Sequence, residues 1–149
     1  RLLDGQSQWV TFSGPTPGTS NQVICGYRSF DQLDASAHPL ELLGVGLPAI
    51  GGSVQIEVRN APSLSTILLF ASRGSDEIAD LTSAGTVLLD MSRVVFQQSV
   101  QVDSAGVATF IVPLNNAALV GQAFYAQAIS LNMGADGALS NGLELVVCP

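Results

Sequence analysis

Two cysteines are the residues of this chain with the most definite chemistry. Cys25 and Cys148 lie far apart, neither belongs to a Cys-x-x-Cys pair, and with the single histidine they cannot supply the four ligands of a structural zinc site. In a reducing compartment they would be two buried thiols, and in an oxidising one they would form one disulfide. We predict the disulfide, which closes a loop of more than 100 residues. In the chain-entropy model such a bridge contributes ~4–5 kcal/mol to stability.

The residues needed for enzymatic catalysis are not assembled in any recognisable pattern. A Ser-His-Asp triad needs a histidine, and His38 lies directly before Pro39, where a surface-loop side chain is the ordinary interpretation. The sequence has no Gly-x-Ser-x-Gly elbow, and the Gly-Val-Gly at residues 44–46 lacks the context of a phosphate-binding loop. We therefore predict a protein that is not an enzyme and that uses no cofactor.

One local cluster of carboxylates is a candidate metal site. Asp76, Glu77 and Asp80 lie close together in a segment flanked by serine and glycine. A solvated acidic loop is the simpler interpretation, and a weak calcium site is the best functional one, because Ca²⁺ prefers carboxylate and carbonyl oxygens. The Asp-x-Asp-x-Asp-Gly spacing of a calcium loop is absent. No other metal site is predicted.

Aromatic residues are enriched at the start of the chain. Trp9, Phe12, Tyr27 and Phe30 all lie within the first 30 residues of a chain with 6% aromatic residues. They either pack the N-terminal strands onto the rest of the fold or form a surface that contacts a partner or stacks against sugar rings. Packing is the favoured interpretation, and carbohydrate binding is the alternative.

The charge balance excludes several classes of function. The 149 residues include 12 acidic residues and five arginines but no lysine, for a net charge of −7. Nucleic acids and anionic membranes bind clustered basic residues, so neither is an expected partner. Charged residues make up 11% and hydrophobic residues 47% of the chain, which is too apolar for intrinsic disorder. The longest apolar stretches, such as residues 66–71, are far shorter than the ~20 residues of a transmembrane helix.

The elements that would position these residues are strands. We expect one domain over residues 1–149, with a turn-rich N-terminal segment at 1–45 and a seven-strand sandwich core at 50–148. The N-terminal segment contains two short β-rich runs at 8–12 and 22–27, and residues 31–44 are expected to be an irregular connection.

From residue 51 onward, period-2 alternation and short apolar runs recur between turn signals. The nearest approach to a helical pattern is at 75–84, which would form one helical turn. The fold class predicted is an all-β, antiparallel β-sandwich of about seven to nine strands. The strands expected after residue 50 lie at 54–58, 67–71, 86–91, 94–102, 107–112, 123–131 and 142–148.

Several short motifs between residues 50 and 147 share one pattern of turns and strands. They are Gly-Gly-Ser-Val at 51–54, Asn-Ala-Pro at 60–62, Asp-Ser-Ala-Gly-Val-Ala-Thr at 103–109, Val-Gly-Gln-Ala-Phe-Tyr-Ala-Gln-Ala at 120–128 and Leu-Ser-Asn-Gly-Leu-Glu-Leu at 139–145. This part of the chain resembles the C-terminal β-sandwich modules of secreted or surface-exposed bacterial proteins of unassigned function. The resemblance implies an Ig-like fold, export from the cell and no catalytic residues to carry over. Residues 1–45 lie outside it.

Apolar side chains are expected on both faces of several strands. Neighbouring large apolar residues occur at 68–69, 88–89 and 95–96, so one face packs in the core and the other needs cover. Edge strands without lysine are also poorly protected against pairing with other chains. These features predict a homo-oligomer or polymer.

The function predicted is that of a structural subunit of an extracellular assembly, such as a filament, pilus-like fibre, sheath or surface layer, built by β-sheet and strand contacts. The alternative is a non-catalytic carbohydrate- or protein-binding module of a secreted or cell-surface protein. The expected location is outside the cell or at its surface. No charged and apolar leader precedes Arg1, so any secretory signal is expected to have been removed or to lie outside this sequence.

Overall fold

The computed structural model describes the backbone of residues 7–13, 22–30, 40–82, 85–131 and 138–149, and the side chains of residues 24–30, 40–75, 87–131 and 138–149. Within these ranges there is no α-helix, and two single-turn 3₁₀ helices lie at Met91–Arg93 and Ala117–Leu119. The strands are β1 Ser7–Ser13, β2 Gln22–Phe30, β3 Glu41–Gly44, β4 Ser53–Arg59, β5 Thr66–Ser72, β6 Ser75–Thr82, β7 Gly85–Leu89, β8 Val94–Gln101, β9 Ala108–Pro113, β10 Ala123–Ser130, β11 Ala138–Leu139 and β12 Gly142–Val146.

The strands form one large sheet, one small sheet and a hairpin. The large sheet has the order β1-β2-β12-β10-β5-β8, with β11 paired to β10, and the small sheet has the order β3-β4-β9. Strands β6 and β7 pair with each other. All pairings between named strands are antiparallel. The predicted all-β antiparallel fold is therefore confirmed.

Strand β4 shows why the period-2 pattern predicts the fold well. Val54, Ile56 and Val58 are buried, whereas Gln55 and Glu57 between them are partly exposed. Successive side chains of a strand point to opposite faces, so one face of β4 packs into the core. All seven strands predicted after residue 50 are present, with ends shifted by at most two residues.

The N-terminal part of the chain contributes more to the fold than its sequence indicates. Strand β2 is hydrogen-bonded between β1 and β12, and the hydrophobic core includes Tyr27, Leu40 and Leu42. The expectation of an irregular connection at 31–44 is wrong for its last four residues, because Glu41–Gly44 form β3 and pair with β4. A strand of four residues is too short to give a clear periodic signal beside Pro39. Residues 31–39, which include His38, lie outside the described part of the chain.

The segment at 75–82 is also a strand rather than a loop or a helical turn. Strand β6 pairs with β7 through a ladder whose register shifts twice. Aspartate and glutamate are depleted in strands, so the local composition disfavours this structure. Pairing with β7 overrides that preference.

Cys25 and Cys148 form the predicted disulfide. Both residues are fully buried, and their Cα atoms lie 5.2 Å apart across a sequence separation of 123 residues. The bond joins β2 to the segment that follows β12. No helix among the described residues is long and apolar enough to cross a membrane.

Two buried polar side chains connect the large sheet region to the small sheet. The Tyr27 hydroxyl accepts a hydrogen bond of 3.1 Å from the backbone N–H of Gln55, and burial raises the pKa of Tyr27 to about 12. The Asn141 side chain accepts a bond of 2.8 Å from the N–H of Leu42 and donates one of 3.0 Å to the Leu42 carbonyl. Asn141 thereby satisfies both backbone groups of a buried residue in β3.

Candidate functional site

The side of the molecule at β8 combines an open sheet edge with an apolar cavity. Strand β8 ends the large sheet and pairs only with β5 among the described strands. Its sequence, Val-Val-Phe-Gln-Gln-Ser-Val-Gln, contains no charged residue. Phe96 and Val100 pack against the core, while Gln97 and Ser99 on the opposite face are exposed. An uncharged edge of this length offers unpaired backbone groups to another strand.

A β-bulge interrupts the pairing of β8 with β5 at Val95. Ala71 pairs with Phe96 and the next residue, Ser72, pairs with Val94, so that Val95 has no partner on β5. A bulge increases the local twist of a strand and re-aims the extra side chain. Val95 is 56% exposed and lies at the wall of the cavity.

The cavity lies between the two sheets and has a volume of about 160 Å³. All of its lining side chains are apolar, and they come from both sheets. Two of them, Val95 on β8 and Pro113 on β9, are exposed, so the cavity opens where these two edge strands approach each other. Other lining residues are Leu69, Phe96, Phe124 and Leu145.

One arginine lies on the aromatic lining of this cavity. The guanidinium of Arg73 is 5.1 Å from the ring centroid of Phe124, and it donates a hydrogen bond to the Gln122 side-chain oxygen. Arg28 and Arg59 form ion pairs with Glu144 and Glu57, but Arg73 forms none with a described side chain.

A second arginine lies close to Arg73. The backbone N–H of Arg73 donates to the carbonyl of Arg93, and the Arg93 side chain lies against Gly74. The Asp90 carboxylate also lies near Gly74. Neither Arg73 nor Arg93 forms an ion pair with a described side chain, and Arg73 is the arginine that lies on a lining residue of the cavity.

The opposite edge of the large sheet is β1, which pairs only with β2 among the described strands. Its sequence, Ser-Gln-Trp-Val-Thr-Phe-Ser, is also uncharged. Along the order β1-β2-β12-β10-β5-β8, every neighbouring pair is antiparallel. With six strands in this path, the two edge strands β1 and β8 run in opposite directions.

The aromatic residues singled out in the sequence have separate positions. Tyr27 is fully buried in the core, so its ring is not available to an external ligand, and the packing interpretation holds for this residue. Phe30 is partly buried and packs edge-on against Tyr125, with ring centroids 6.3 Å apart. Trp9 lies opposite Gly26 and Phe12 opposite Val23 in the β1–β2 ladder, and their side chains lie outside the described part.

The acidic residues Asp76, Glu77 and Asp80 lie in β6, and their side chains are outside the described part of the chain, so the calcium prediction stays a prediction. Among the described side chains, no three metal-binding residues are grouped together.

The cavity has no counterpart among the sequence predictions, because its lining is assembled from many strands. The adjacent apolar residues 95 and 96 are the sequence feature that indicates an apolar surface at this place.

The chain matches no protein-family model and no curated protein.

Proposed function

We propose that this protein is a structural subunit of an extracellular assembly in which the large sheets of successive copies join edge to edge. The observation that carries the proposal is the pair of uncharged edge strands, β1 and β8, at the two ends of one sheet. Backbone groups at such edges gain hydrogen bonds when a strand of another chain is added.

The direction of the strands favours a head-to-tail contact. Because β1 and β8 run in opposite directions, a second copy in the same orientation brings its β1 antiparallel to β8 of the first. The antiparallel alternation of strand direction then continues across the contact between the two copies. A contact between two different surfaces of the same protein repeats without closing unless its rotation forms a ring. Repetition with the usual twist between strands gives a twisted filament.

The location outside the cell rests on the disulfide and on the resemblance to exported β-sandwich modules. Disulfides persist in oxidising compartments and are rare in the cytosol. Two exposed apolar side chains, Val95 at 56% and Ile111 at 57%, also favour cover by a neighbouring subunit.

The assembly is tested by light scattering coupled to size-exclusion chromatography and by negative-stain microscopy over a range of protein concentrations. We expect the wild type to form polymers, and we expect Gln97→Lys on β8 to raise the concentration of half-assembly about tenfold, which corresponds to ~1.4 kcal/mol per contact. Lysine at a sheet edge opposes strand addition because its charge must be desolvated.

Ser63→Lys is the matched control, because Ser63 is exposed in a turn outside the strands and the substitution changes the net charge equally. Assembly of this variant should equal that of the wild type. A wild type that stays monomeric at the highest concentration contradicts the proposal and favours a binding module instead. Equal effects of the two lysines would assign the change to net charge rather than to β8.

A further inference from the structure

We propose that the apolar cavity between the sheets binds a small amphiphile with a single alkyl chain and an anionic head, an alkyl carboxylate being the simplest member of this class. The alkyl chain occupies the cavity, and the carboxylate pairs with Arg73. The site shares Val95 with the surface at β8 that a neighbouring subunit would cover, so binding is measured on the monomeric protein.

The lining determines what the cavity can hold. Every lining side chain is apolar, so a buried hydroxyl or charge of a ligand would lose its hydrogen bonds to water without replacement. Sugars, nucleotides and metal ions are excluded on this ground. A cavity of about 160 Å³ matches the size that holds a benzene-like group of about six carbon atoms. A short alkyl chain fits the same space.

The opening of the cavity allows the alkyl chain of the ligand to enter without unfolding of the protein. Val95 and Pro113 are both lining residues and exposed, and the bulge presents Val95 there without a partner on β5. The ladder is therefore already interrupted at this point of the wall.

The head group is specified by Arg73, the arginine that lies on the lining of the cavity. Arg73 lies on Phe124, which is a lining residue, and its one described side-chain partner is the neutral amide of Gln122. In a protein with a net charge of −7, most of the surface repels an anion, so an anionic ligand is directed to such a local cation. A guanidinium also matches the geometry of a carboxylate better than an ammonium does.

The binding test uses octanoate, octanol and acetate as probes, with isothermal titration calorimetry for affinity and ¹H–¹⁵N spectra for location. We expect octanoate to bind with one site per chain and to shift the amides of residues around the cavity. Octanol, which lacks the charge, should bind about fivefold more weakly, because fivefold is the largest change in affinity that one exposed ion pair usually contributes. Acetate, which has the head without the chain, should not bind measurably.

Two variants distinguish the contribution of the alkyl chain to affinity from that of the head group. Ala71→Leu fills the cavity, because Ala71 is a partly buried lining residue, and it should weaken both octanoate and octanol at least tenfold. Arg73→Gln should reduce octanoate to the affinity of octanol and leave octanol unchanged. Arg59→Gln is the control for loss of one arginine, because Arg59 is paired with Glu57 in the small sheet, and it should bind both probes as the wild type does.

Several results would overturn the proposal. They are the absence of octanoate binding to the wild type, unchanged binding to Ala71→Leu, and several weak sites that Ala71→Leu does not affect. If Ala71→Leu fails to fold by circular dichroism, Val112→Phe fills the same cavity from β9. If filling the cavity instead lowers self-association while octanoate does not bind, the occupant is a side chain of a second copy, and the amphiphile site is refuted.

Discussion

Replacing Asn141 by alanine tests how the β3 end of the small sheet is held to the rest of the fold. Asn141 is 3% exposed, and its side chain makes hydrogen bonds to both the N–H and the carbonyl of Leu42. Alanine removes these bonds and leaves two backbone groups without partners. Because Leu42 is fully buried, water does not replace them.

The expected loss follows from the number of groups left unsatisfied. An unpaired buried donor or acceptor costs about 1–3 kcal/mol, so two of them lower the free energy of unfolding by about 2–6 kcal/mol. A change of 1 kcal/mol shifts Tm by about 2–4 °C in a protein of this size, so Tm should fall by about 4–24 °C. The expected loss of unfolding free energy is a large part of the ~5–15 kcal/mol that stabilises an ordinary domain.

Urea unfolding followed by far-UV circular dichroism measures the effect, with the slope of the transition checked for constancy. Asn115→Ala is the matched control, because Asn115 is exposed between β9 and the second 3₁₀ helix. Its unfolding free energy should stay within about 0.5 kcal/mol of the wild type. A loss below 1 kcal/mol for Asn141→Ala would refute the reasoning, because it would mean that Leu42 finds other partners.

Two other features give predictions of their own. Reduction of the disulfide should add two hydrogens to the mass of the protein. The double variant Cys25→Ala, Cys148→Ala should lose ~4–5 kcal/mol of stability, as expected for a loop of this length. An unchanged urea midpoint of the double variant would contradict this stabilisation. For Tyr27, the folded-state pKa of about 12 lies above the ordinary value of 10.0, so the unfolded state releases its proton first and stability falls as pH rises from about 10 to 12. Tyr27→Phe should lose about 1 kcal/mol at neutral pH and should show a smaller decline at high pH; equal alkaline profiles of the two proteins would count against this assignment.

The sequence predicts those parts of the fold in which local pattern and tertiary structure agree. The alternation in β4 places Val54, Ile56 and Val58 in the core. The turn after β8 is also local: the Asp103 carboxylate accepts bonds from the N–H groups of Ala105 and Val107, and Gly106 has a φ of +80°. Such turns depend on a few adjacent residues, so one sequence contains the information needed to predict them.

The candidate site depends on contacts that no local pattern reports. Strand β3 is held by Asn141, which lies 99 residues away, and the acidic β6 forms a strand because β7 pairs with it. The cavity requires the packing of two sheets, and the bulge at Val95 is a property of the β5–β8 register. The adjacent apolar residues 95 and 96 predict a face that needs cover, but they do not predict a cavity or the arginine beside it.

The disulfide distributes mechanical strength unevenly across the large sheet. A force that pulls β1 and β8 apart acts in series on the pairs β1–β2, β2–β12, β12–β10, β10–β5 and β5–β8. The Cys25–Cys148 bond lies beside the β2–β12 pair, so that junction keeps a covalent link when its hydrogen bonds break. The β5–β8 pair has no such link, and its ladder is already interrupted at Val95. Under tension the sheet should therefore yield first at β8, while β2 and β12 stay together.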